Sequence, residues 1–564
     1  MATAYILAFL ATALASYILY RCLLPAPIPQ IPYNVLSAKS VLGDIPALLS
    51  HLSADPTHTF TTYATFLLRK LNSPLIQIFT SPICKPTLIL GDYETAYSIF
   101  VHKTREFDRS PTVSYMLSGF IPQHHILRRT DEKWKAQRRL ILGAMSARYI
   151  YGVLSPVIER KVATLVELWR AKCRSAKGRP WSATDDVYIL ALEGIMAFSF
   201  GEGSGADSLG GRVECVRGWR LQDKGARDQP VAFPEGDLNE VLRATLEVTR
   251  TMGELKGSLV PRLRWEIVRR KQRIKDAIMA LEKNVQRELA NAVETLHANK
   301  GYMAASAVEH MVAHERDLAQ KEGRRPDYFS RVMVDEITGF TIAAYETTGT
   351  TLCWGFKYLT DYPQIQAKLR LALEAEYTAA IPKGRSPTIQ EIIGIDIPYL
   401  EATVQEILRF ANPATAVDRQ ALVDTEILGY AVPKGTIVTC ILPQPALISP
   451  VDLAKLSALK PEETAPWDNS DLACFNPDRW IQDGQFSPGA APQVAFGLGP
   501  RACPGRRLAY LEIKAVLIGV VWNFELLPCP LELSGYEKVV LATQKPKQCF
   551  LCVREITRSP LTEI

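Results

Sequence analysis

Phe496-Gly-Leu-Gly499-Pro-Arg501-Ala-Cys503-Pro504-Gly505 is the most informative stretch of this 564-residue chain. Its glycines allow a sharp turn and a close approach of the backbone to a flat ligand. Pro504 suits the first turn of a helix, and residues 507–521 have a helical pattern. The N-terminus of that helix would point N–H groups and a partial positive charge at the sulfur of Cys503, which favours the thiolate. The stretch therefore predicts a metal-ligating thiolate in a tight loop.

A glycine-rich surface loop around a free cysteine is the alternative, and it would be preferred for an isolated Cys-Pro-Gly. Here five characteristic residues fall within ten positions, namely Phe496, Gly499, Arg501, Cys503 and Gly505. Together they resemble the haem-binding signature of the cytochrome P-450 family, Phe-x-x-Gly-x-Arg-x-Cys-x-Gly. The resemblance implies that Cys503 is the axial ligand of a haem b iron. It also implies that Arg501 contacts a propionate, that Phe496 packs beside the sulfur and that Gly505 belongs to the haem-binding loop.

Glu406 and Arg409 form a Glu-x-x-Arg pair whose spacing places both side chains on one face of a helix. An ordinary exposed ion pair would explain this pattern if it stood alone. The position of the pair before Cys503, however, resembles the K-helix motif of the same family, which joins the pair to a third residue in a later loop. Arg479, in the stretch 475–480, is the predicted third member, and the resemblance implies that this triad is structural.

Glu346 and Thr347 interrupt the otherwise apolar stretch Gly339–Thr348. A buried helix with satisfied hydroxyls is one explanation, because Thr can bond to its own helix carbonyls. A buried acid, however, is costly without a purpose. The stretch resembles the oxygen-binding I-helix motif of the family, which implies that Glu346 and Thr347 relay protons to dioxygen through water. Ala344 stands where the family usually has Gly, and its methyl group would narrow the oxygen groove.

Trp134 and Arg138 are four residues apart and would share one face of a helix. A solvated basic helix is the alternative explanation. The pair resembles the C-helix Trp-x-x-x-Arg motif of the family, which implies that both side chains hydrogen-bond a haem propionate. Arg419, which follows the K helix, is a further candidate for a propionate contact.

Residues 1–20 carry no charged side chain, and Arg21 ends this apolar run. The length suits a helix that crosses a bilayer. A cleaved signal peptide is the alternative, but here the positive charge follows the apolar stretch instead of preceding it. We therefore expect a transmembrane anchor at 1–24, a stiff proline-rich hinge at 25–34 and a cytosolic catalytic domain at 35–564. Resemblance to microsomal members implies the endoplasmic reticulum membrane and a single pass.

The apolar pattern along the chain predicts a mainly α fold with small β-sheets. Most of the region from residue 131 to about 380 reads as helix, whereas strand-like runs lie before and after it. Long helices are expected at 153–176, 255–296 and 328–360, strands at 74–79, 86–90, 435–439 and 548–553, and a long exposed loop within 201–236. The family resemblance implies that this is the cytochrome P-450 fold.

The composition does not indicate a nucleic-acid-binding protein, because the net charge of +6 is modest and the basic residues are scattered. The 11 cysteines do not look like a disulfide framework, and Cys549 and Cys552 form a Cys-x-x-Cys pair without a second pair for a zinc site. His310 and His314 are four residues apart but lack the Glu of a metalloprotease motif, so we interpret them as part of a solvated helix face.

The resemblance implies a monooxygenase that inserts one atom of dioxygen into a lipophilic organic substrate while the other atom leaves as water. Hydroxylation is the default reaction, and epoxidation, desaturation or ring formation would use the same oxidant. The sequence has no flavin or nicotinamide motif, so electrons from NADPH would come through a flavoprotein reductase in the same membrane. The typically acidic surface of such a reductase would meet basic residues that flank the haem motifs: Lys133, Lys135, Arg139, Arg506 and Arg507.

Segments 107–126 and 201–257, together with Ile342 and Tyr345, are expected to line the substrate pocket. The overall style resembles fungal natural-product enzymes, which suggests secondary-metabolite biosynthesis. Two alternatives stay open. One is a haem-thiolate isomerase or dehydratase acting on peroxides, which can dispense with the acid–threonine pair. The other is a non-catalytic, membrane-anchored binding protein with a decayed site, and the intact motifs argue against decay.

Overall fold

The computed structural model describes residues 2–80, 85–202, 207–221, 225–256, 258, 261–298, 304–441, 472, 474–540 and 542–558. Parts of the predicted pocket segment 201–257, namely 203–206, 222–224 and 257, lie outside the described residues. The described α-helices are α1 (Ala2–Leu23), α2 (Val35–Ala38), α3 (Ile45–Ala54), α4 (Phe60–Lys70), α5 (Tyr93–Val101), α6 (Thr112–Leu117), α7 (Glu132–Leu142), α8 (Ala147–Tyr149), α9 (Ser155–Ala176), α10 (Thr184–Phe200), α11 (Ser208–Gly218), α12 (Glu240–Lys256), α13 (Pro261–Val268), α14 (Gln272–Ala298), α15 (Ala307–Lys321), α16 (Arg331–Asp361), α17 (Pro363–Glu376), α18 (Ile389–Gly394), α19 (Pro398–Ala411) and α20 (Arg506–Asn523).

The described strands are short and form small sheets. They are β1 (Leu75–Ile78), β2 (Thr87–Leu90), β3 (Phe107–Arg109), β4 (Trp181–Ser182), β5 (Ala416–Ala421), β6 (Thr425–Ile427), β7 (Tyr430–Val432), β8 (Ile437–Ile441), β9 (Ile481–Gln482), β10 (Gln485–Phe486), β11 (Phe524–Leu527), β12 (Lys538–Val540), β13 (Gln544–Pro546) and β14 (Phe550–Glu555). The predicted mainly α class with small β-sheets is confirmed.

The chain forms two compact units. The first comprises Met1–Thr112, Ala414–Cys474 and Gly497–Ala502. Its five-stranded sheet has the order β1-β2-β8-β5-β3, in which only β2 and β8 run parallel. Helices α3 and α4 contribute apolar side chains that pack against buried residues of β1 and β2. The first unit is therefore a sheet with helices over its apolar residues.

The proline-rich segment of the first unit lies along β1. The buried side chain of Gln77 accepts a hydrogen bond from the Ile28 N–H at 2.8 Å and donates to the carbonyls of Ile28 and Ile31, each at 2.8 Å. Ile31 is buried, and the Gln77 N–H donates to the Pro32 carbonyl. This part of the segment, which turns at Pro29 and Gln30, is thus held in place by one glutamine.

The second unit comprises Val113–Pro413, Phe475–Phe496 and Cys503–Ile564, and it contains the largest apolar core. Helix α16 is buried along most of its 31 residues and packs most extensively against α10. Ser330 caps its N-terminus by accepting a hydrogen bond from the Met333 N–H, and the helix ends shortly before Pro363, which cannot continue it. A long, largely buried helix in this position can carry reactive side chains on a rigid support.

The predicted helices at 153–176 and 328–360 correspond to α9 and α16, but the single helix predicted at 255–296 is wrong. This region is divided among the end of α12, α13 and α14. Pro261 opens α13, and proline at that position has no N–H to donate to a preceding turn. The long loop predicted within 201–236 is interrupted by α11, whose Leu209, Val213 and Val216 are buried.

Two helical stretches are apolar and long enough to cross a membrane, judged by length and composition alone. Tyr5–Leu23 has a mean hydropathy of 1.8 with none of its apolar window buried, whereas half of the window in Glu132–Ala176 is buried. The second stretch contains α7 and α9, which contribute to buried apolar clusters of the second unit. Tyr5–Leu23 is therefore the stretch that suits the predicted anchor.

Helices α10, α16 and α20 meet around the buried carboxyl group of Glu512. A side chain at Gly194 of α10 would place its Cβ 3.0 Å from Glu512 Oε1, and Thr348 of α16 hydrogen-bonds the same carboxyl group. Burial raises the pKa of Glu512 from 4.5 to about 8, although the hydrogen bond to Thr348 acts in the opposite direction. The folded protein therefore holds a proton at neutral pH that the unfolded chain releases.

We expect the free energy of unfolding to fall as the pH rises from about 4.5 to about 8, because Glu512 takes up a proton on folding in that window. In Glu512→Gln this loss is absent. The free energy of unfolding of the variant, relative to that of the wild type, is therefore expected to rise by up to about 5 kcal/mol between about pH 4.5 and pH 8. Urea unfolding at about pH 5 and pH 8 measures the difference. Glu525→Gln, at a residue whose side chain is 35% exposed, is the matched control. Equal pH dependence of wild type and Glu512→Gln would contradict the assignment.

Candidate functional site

The cysteine loop is closed by one backbone hydrogen bond, from the Cys503 N–H to the Phe496 carbonyl at 2.7 Å. Gly497 and Gly499 have positive φ values of 65° and 66°, which L side chains rarely adopt. A side chain at Gly499 would also place its Cβ 2.1 Å from the carbonyl oxygen of Phe100. Backbone geometry thus favours glycine at both positions, and lack of space also requires it at Gly499, which belongs to the predicted signature.

The sulfur of Cys503 lies one turn before α20, on a residue that is accessible to solvent. The protein around the sulfur nevertheless raises the pKa of the thiol, whereas a hydrogen bond from the backbone of Gly505 and the charge of Arg138 lower it. Gly505 is the residue immediately before α20, so its N–H belongs to the positive end of that helix. Two groups, the Gly505 backbone N–H and the Arg138 guanidinium, therefore place positive charge near one sulfur atom.

Phe496 is fixed by the residues packed behind the cysteine loop. Its ring stacks on Tyr510 with centroids 5.3 Å apart, and the guanidinium of Arg506 lies 5.9 Å from its centroid. The hydroxyl group of Tyr510 accepts a hydrogen bond from Gln405, whose carbonyl and side-chain oxygens accept from Gln493. These contacts tie the predicted ligand loop to α19.

Trp134 and Arg138 share one face of α7, as their spacing predicts. Asp131 caps the helix by accepting a hydrogen bond from the Trp134 N–H at 2.7 Å. Trp134 is 5% exposed, and the Arg138 guanidinium lies 5.3 Å from its ring centroid. Burial lowers the pKa of Arg138, and the charge of Cys503 opposes this effect. Arg138 therefore belongs to the electrostatic surroundings of the sulfur.

Three arginines and two aspartates form a buried cluster in the first unit. Arg109 and Arg419 are directly opposite each other in the β3–β5 register, and Arg501 NH1 lies 3.5 Å from Asp108 Oδ1. Burial lowers the pKa of Arg109 to about 9, and the charges of Arg501 and Arg419 add to this effect, whereas Asp418 and Asp108 oppose it. Like charges directly opposite in a sheet are unfavourable.

The excess of positive charge in this cluster fits an anionic ligand. Three guanidinium groups face two carboxylates, and the Arg419 guanidinium also lies 4.7 Å from the ring centroid of Phe100. One haem propionate would balance the single excess positive charge of the cluster, so the donor set fits that group. Arg109 was not predicted as a site residue. The signal was the placement of an arginine at the end of β3, opposite the candidate Arg419.

The predicted structural triad is brought together around Glu406. Its carboxylate accepts hydrogen bonds from Arg409 Nε at 2.8 Å and NH2 at 2.7 Å, and from Arg479 Nε at 3.1 Å. The Trp480 indole N–H and the Asn476 backbone N–H donate to the same carboxylate at 2.9 Å each. Glu406 has no exposed surface. Sequence reasoning found the three charged residues but missed the two neutral donors.

Glu346 and Thr347 lie in the middle of α16, where one face of this buried helix opens. Ala343 is exposed and Thr347 is partly exposed, whereas Glu346 is 4% exposed. The Thr347 hydroxyl donates to the Ala343 carbonyl at 3.0 Å, and Glu346 Oε1 accepts from Thr543 at 3.0 Å. The two predicted relay side chains therefore hydrogen-bond different partners. Helix α16 runs unbroken through Ala344, which carries a methyl group where the family usually has Gly.

A second cluster, which the sequence did not predict, joins the segment before α7 to α16. Asp335 accepts a hydrogen bond from the Gln123 N–H at 2.6 Å, and Glu336 accepts from the His125 N–H and pairs with His125 Nδ1, each at 2.6 Å. His124 Nε2 lies 3.5 Å from Glu336. Two adjacent acids of α16 thus hold this loop, to which Gln137 also donates at the Gln123 carbonyl.

His124, His125 and Glu336 are close enough to share a metal ion, and they form the only such group among the described residues. The Ile126 N–H, however, donates to His124 Nδ1 at 3.0 Å, so Nδ1 carries no proton. The neutral ring must then carry its proton on Nε2, which faces Glu336. We interpret the group as a set of hydrogen bonds that joins the segment before α7 to α16, and not as a metal site. His310, by contrast, packs edge-on against the ring of Tyr149, and burial lowers its pKa.

The predicted pocket segments contribute to one apolar cluster. Ile342 of α16 packs with Phe120, Met252 and Leu255, and Phe120 lies 4.5 Å from the ring of Trp265. Tyr345 is 1% exposed and belongs to the main core instead. All five predicted docking residues are exposed. Lys135 pairs with Glu132 at 2.7 Å, and Arg507 donates to the Met145 carbonyl at 3.2 Å.

The comparisons with known proteins agree with this geometry. The family model described as Cytochrome P450 matches residues 45–444 and 467–551. The chain is 34% identical to "Cytochrome P450 monooxygenase TRI13" of Fusarium sporotrichioides, with 96% of this chain and 98% of that protein covered. It is 33% identical to "Cytochrome P450 monooxygenase GME11363" of Pestalotiopsis microspora, with 95% and 96% covered. The solved cytochrome P450DA heme domain has a similar fold, with a TM-score of 0.68 at 19% identity, covering 95% of this chain and 99% of that one.

We expect Glu406→Gln to destabilise the fold by roughly 3–5 kcal/mol, because it leaves two buried guanidinium groups without their counter-charge. Thermal and urea unfolding measure the loss. Glu391→Gln is the control, because the Glu391 side chain is 24% exposed and its pair with Arg385 is expected to contribute about 1 kcal/mol at most. Similar losses in the two variants would show that Glu406 does not organise the core.

Proposed function

Because the chain belongs to the cytochrome P450 family, an oxygen-incorporating group of oxidoreductases with a haem-iron cofactor, we propose that it inserts one oxygen atom from dioxygen into a lipophilic organic substrate. Hydroxylation is the proposed default reaction. The single observation that carries the proposal is the geometry of Cys503, whose sulfur is presented by a closed loop. Burial raises the pKa of the thiol, and the Gly505 backbone and the charge of Arg138 lower it.

Cys503 is proposed as the axial ligand, with Phe496 and Gly505 shaping the loop that presents its sulfur. Within the second unit, Trp134 and Arg138 of α7 are proposed to contact a propionate. When bound, the haem supplies the reductive activation of dioxygen, with one atom transferred to substrate and the other released as water. The protein's part is to bind, orient and place charge.

Arg419 and Arg501, with the newly found Arg109, are proposed to bind propionates from the first unit. The buried arginine cluster supports this role, because a propionate would supply the negative charge that the cluster lacks. The triad of Glu406, Arg409 and Arg479 is proposed as structural, since its carboxylate is fully buried and fully used by donors.

Glu346 and Thr347 are proposed to move protons on the open face of α16. The hydroxyl group of Thr347 is partly exposed there, and its bond to the Ala343 carbonyl orients it. Burial raises the pKa of Glu346, whereas Lys545, the hydrogen bond from Thr543 and Lys256 lower it. A buried acid whose pKa is raised in this way is suited to both accept and release a proton.

The proposed electron source is NADPH, delivered through a flavoprotein reductase in the same membrane. Lys133, Lys135 and Arg139 are exposed on α7, and Arg506 and Arg507 are exposed at the start of α20. An acidic partner surface would complement these residues, and the association would weaken with salt.

We propose the anchor at 1–24, the hinge at 25–34 and the catalytic domain at 35–564, with the anchor in the endoplasmic reticulum membrane and the domain in the cytosol. The apolar helix Tyr5–Leu23 supports the anchor. The apolar cluster around Ile342 and Phe120 supports a lipophilic substrate. Similarity to fungal monooxygenases supports a role in secondary-metabolite biosynthesis.

The reduced, carbon monoxide-treated wild-type protein is expected to show the Soret band of a thiolate-ligated haem, because Cys503 supplies the sulfur. In Cys503→Ala this band is expected to be lost completely. Cys215→Ala, which removes an exposed thiol, is the matched control and retains the band. A thiolate band in Cys503→Ala, or its absence from haem-loaded wild type, would refute the proposal.

In a system with reductase and a substrate, Thr347→Ala is expected to release more peroxide and to lower product formed per NADPH by roughly tenfold or more, because a proton-transfer group is missing. Peroxide and product assays run in parallel provide the measurement. Thr360→Ala removes a buried hydroxyl from the same helix and leaves the ratio unchanged. If Thr347→Ala also leaves it unchanged, Thr347 has no role in proton transfer.

A further inference from the structure

A chain of three hydroxyl groups ends on the carboxylate of Glu346. Tyr188 Oη lies 2.7 Å from Thr350 Oγ1, which lies 2.7 Å from Thr543 Oγ1. Thr543 Oγ1 donates to Glu346 Oε1 at 3.0 Å. All four side chains are buried, with exposed fractions of 6% for Tyr188, 0% for Thr350, and 4% each for Thr543 and Glu346.

This series of hydrogen bonds connects three separate elements of the second unit. Tyr188 lies on α10, Glu346 and Thr350 lie one turn apart on α16, and Thr543 lies between strands β12 and β13. Glu346 and Thr350 therefore present their side chains on the same face of α16. Thr543 fills the gap between them and bonds to both.

The hydrogen bonds of this chain can run in one direction only while Glu346 is ionised. A carboxylate accepts and cannot donate, so Thr543 must give it a proton in the hydrogen bond. Thr543 then accepts from Thr350, and Thr350 accepts from Tyr188. Burial raises the pKa of Tyr188 well above its ordinary value, so its phenol keeps the proton that starts the chain. Reversal would require a new acceptor for that proton.

We propose that Thr543, supported by Thr350 and Tyr188, is a positioning residue that holds the Glu346 side chain as an oriented carboxylate for proton transfer. The inference deepens the proposed monooxygenase function and rests on it. It assigns a role to the turn between β12 and β13, which the sequence motifs do not reach. The three hydroxyl groups act through Glu346 and need no contact with substrate.

The charged groups around Glu346 favour the same ionised form. Lys545 lies on β13, with its Nζ 5.0 Å from the ring centroid of Tyr188. Lys256, at the end of α12, donates to the Ala542 carbonyl at 3.0 Å. The charges of both lysines lower the pKa of Glu346, while burial raises it and Tyr345 of α16 lies beside it. Among these groups of the described residues, Thr543 is the one that donates a hydrogen bond to the carboxylate, at 3.0 Å.

Removal of the hydroxyl group nearest to Glu346 should therefore matter most. In Thr543→Val the carboxylate loses a direct donor, and its protonation midpoint should rise by about one to two pH units. In Thr350→Val the Thr543 hydroxyl still donates to Glu346 but is less polarised, so the rise of the midpoint should be smaller. In Tyr188→Phe the rise of the midpoint should be smallest. If the three residues had a merely structural role, the size of the effect would instead follow the packing that each variant loses. That loss is slight in Tyr188→Phe and similar in the two valine variants.

The midpoint is measured by infrared titration of the haem-loaded, full-length protein, which needs no substrate. The carboxylic acid band of Glu346 is identified by its loss in Glu346→Gln. Thr543→Ser restores the hydroxyl group and is expected to return the midpoint to the wild-type value. Thr360→Val, at a buried threonine that donates to the Phe356 carbonyl, is the matched control and leaves the midpoint unchanged.

Two outcomes overturn the inference: an unchanged midpoint in Thr543→Val, or equal shifts in Thr543→Val and Thr360→Val. Peroxide released per NADPH provides a second readout, and the effect of Thr543→Val on it should vanish in the Glu346→Gln background. The carbon monoxide spectrum separates the two claims. A normal thiolate band with an unchanged midpoint rejects the role of Thr543 alone, whereas a missing band in the wild type rejects the proposed function.

Discussion

Stabilisation of the proposed Cys503 thiolate is the constraint on which the rest of the proposed site depends. The surrounding protein raises the pKa of this thiol, and the influences that lower it are the backbone of Gly505 and the charge of Arg138. A loop, the start of α20 and a side chain of α7 must therefore converge on one atom. The hydrogen bond from the Cys503 N–H to the Phe496 carbonyl keeps the loop closed while they do so.

The other buried charges of the molecule follow the same logic with different partners. Glu406 is surrounded by donors that satisfy its charge from within the protein. The cluster of Arg109, Arg419 and Arg501 is different, because it brings three guanidinium groups to two aspartates, and a haem propionate is proposed to add negative charge there. Glu346 differs from both, because burial raises its pKa while Lys545, Thr543 and Lys256 lower it.

Sequence alone could predict the parts of this site that lie close together along the chain. The cysteine loop, the Glu406–Arg409 pair and the Trp134–Arg138 pair have fixed local spacings, and helix geometry makes each spacing informative. Contacts between distant segments left no such signal. Arg109 faces Arg419 across a sheet, and Thr543 reaches Glu346 over a separation of 197 residues. The helix predicted at 255–296 failed because its amphipathic pattern continues through the break that Pro261 introduces.

The central claim is a bond between the Cys503 sulfur and haem iron, and X-ray absorption at the iron edge of the purified, haem-loaded full-length protein tests it most directly. One sulfur atom is expected in the first coordination sphere of the ferric resting state, together with the porphyrin nitrogens. A first sphere containing only nitrogen and oxygen neighbours would contradict it.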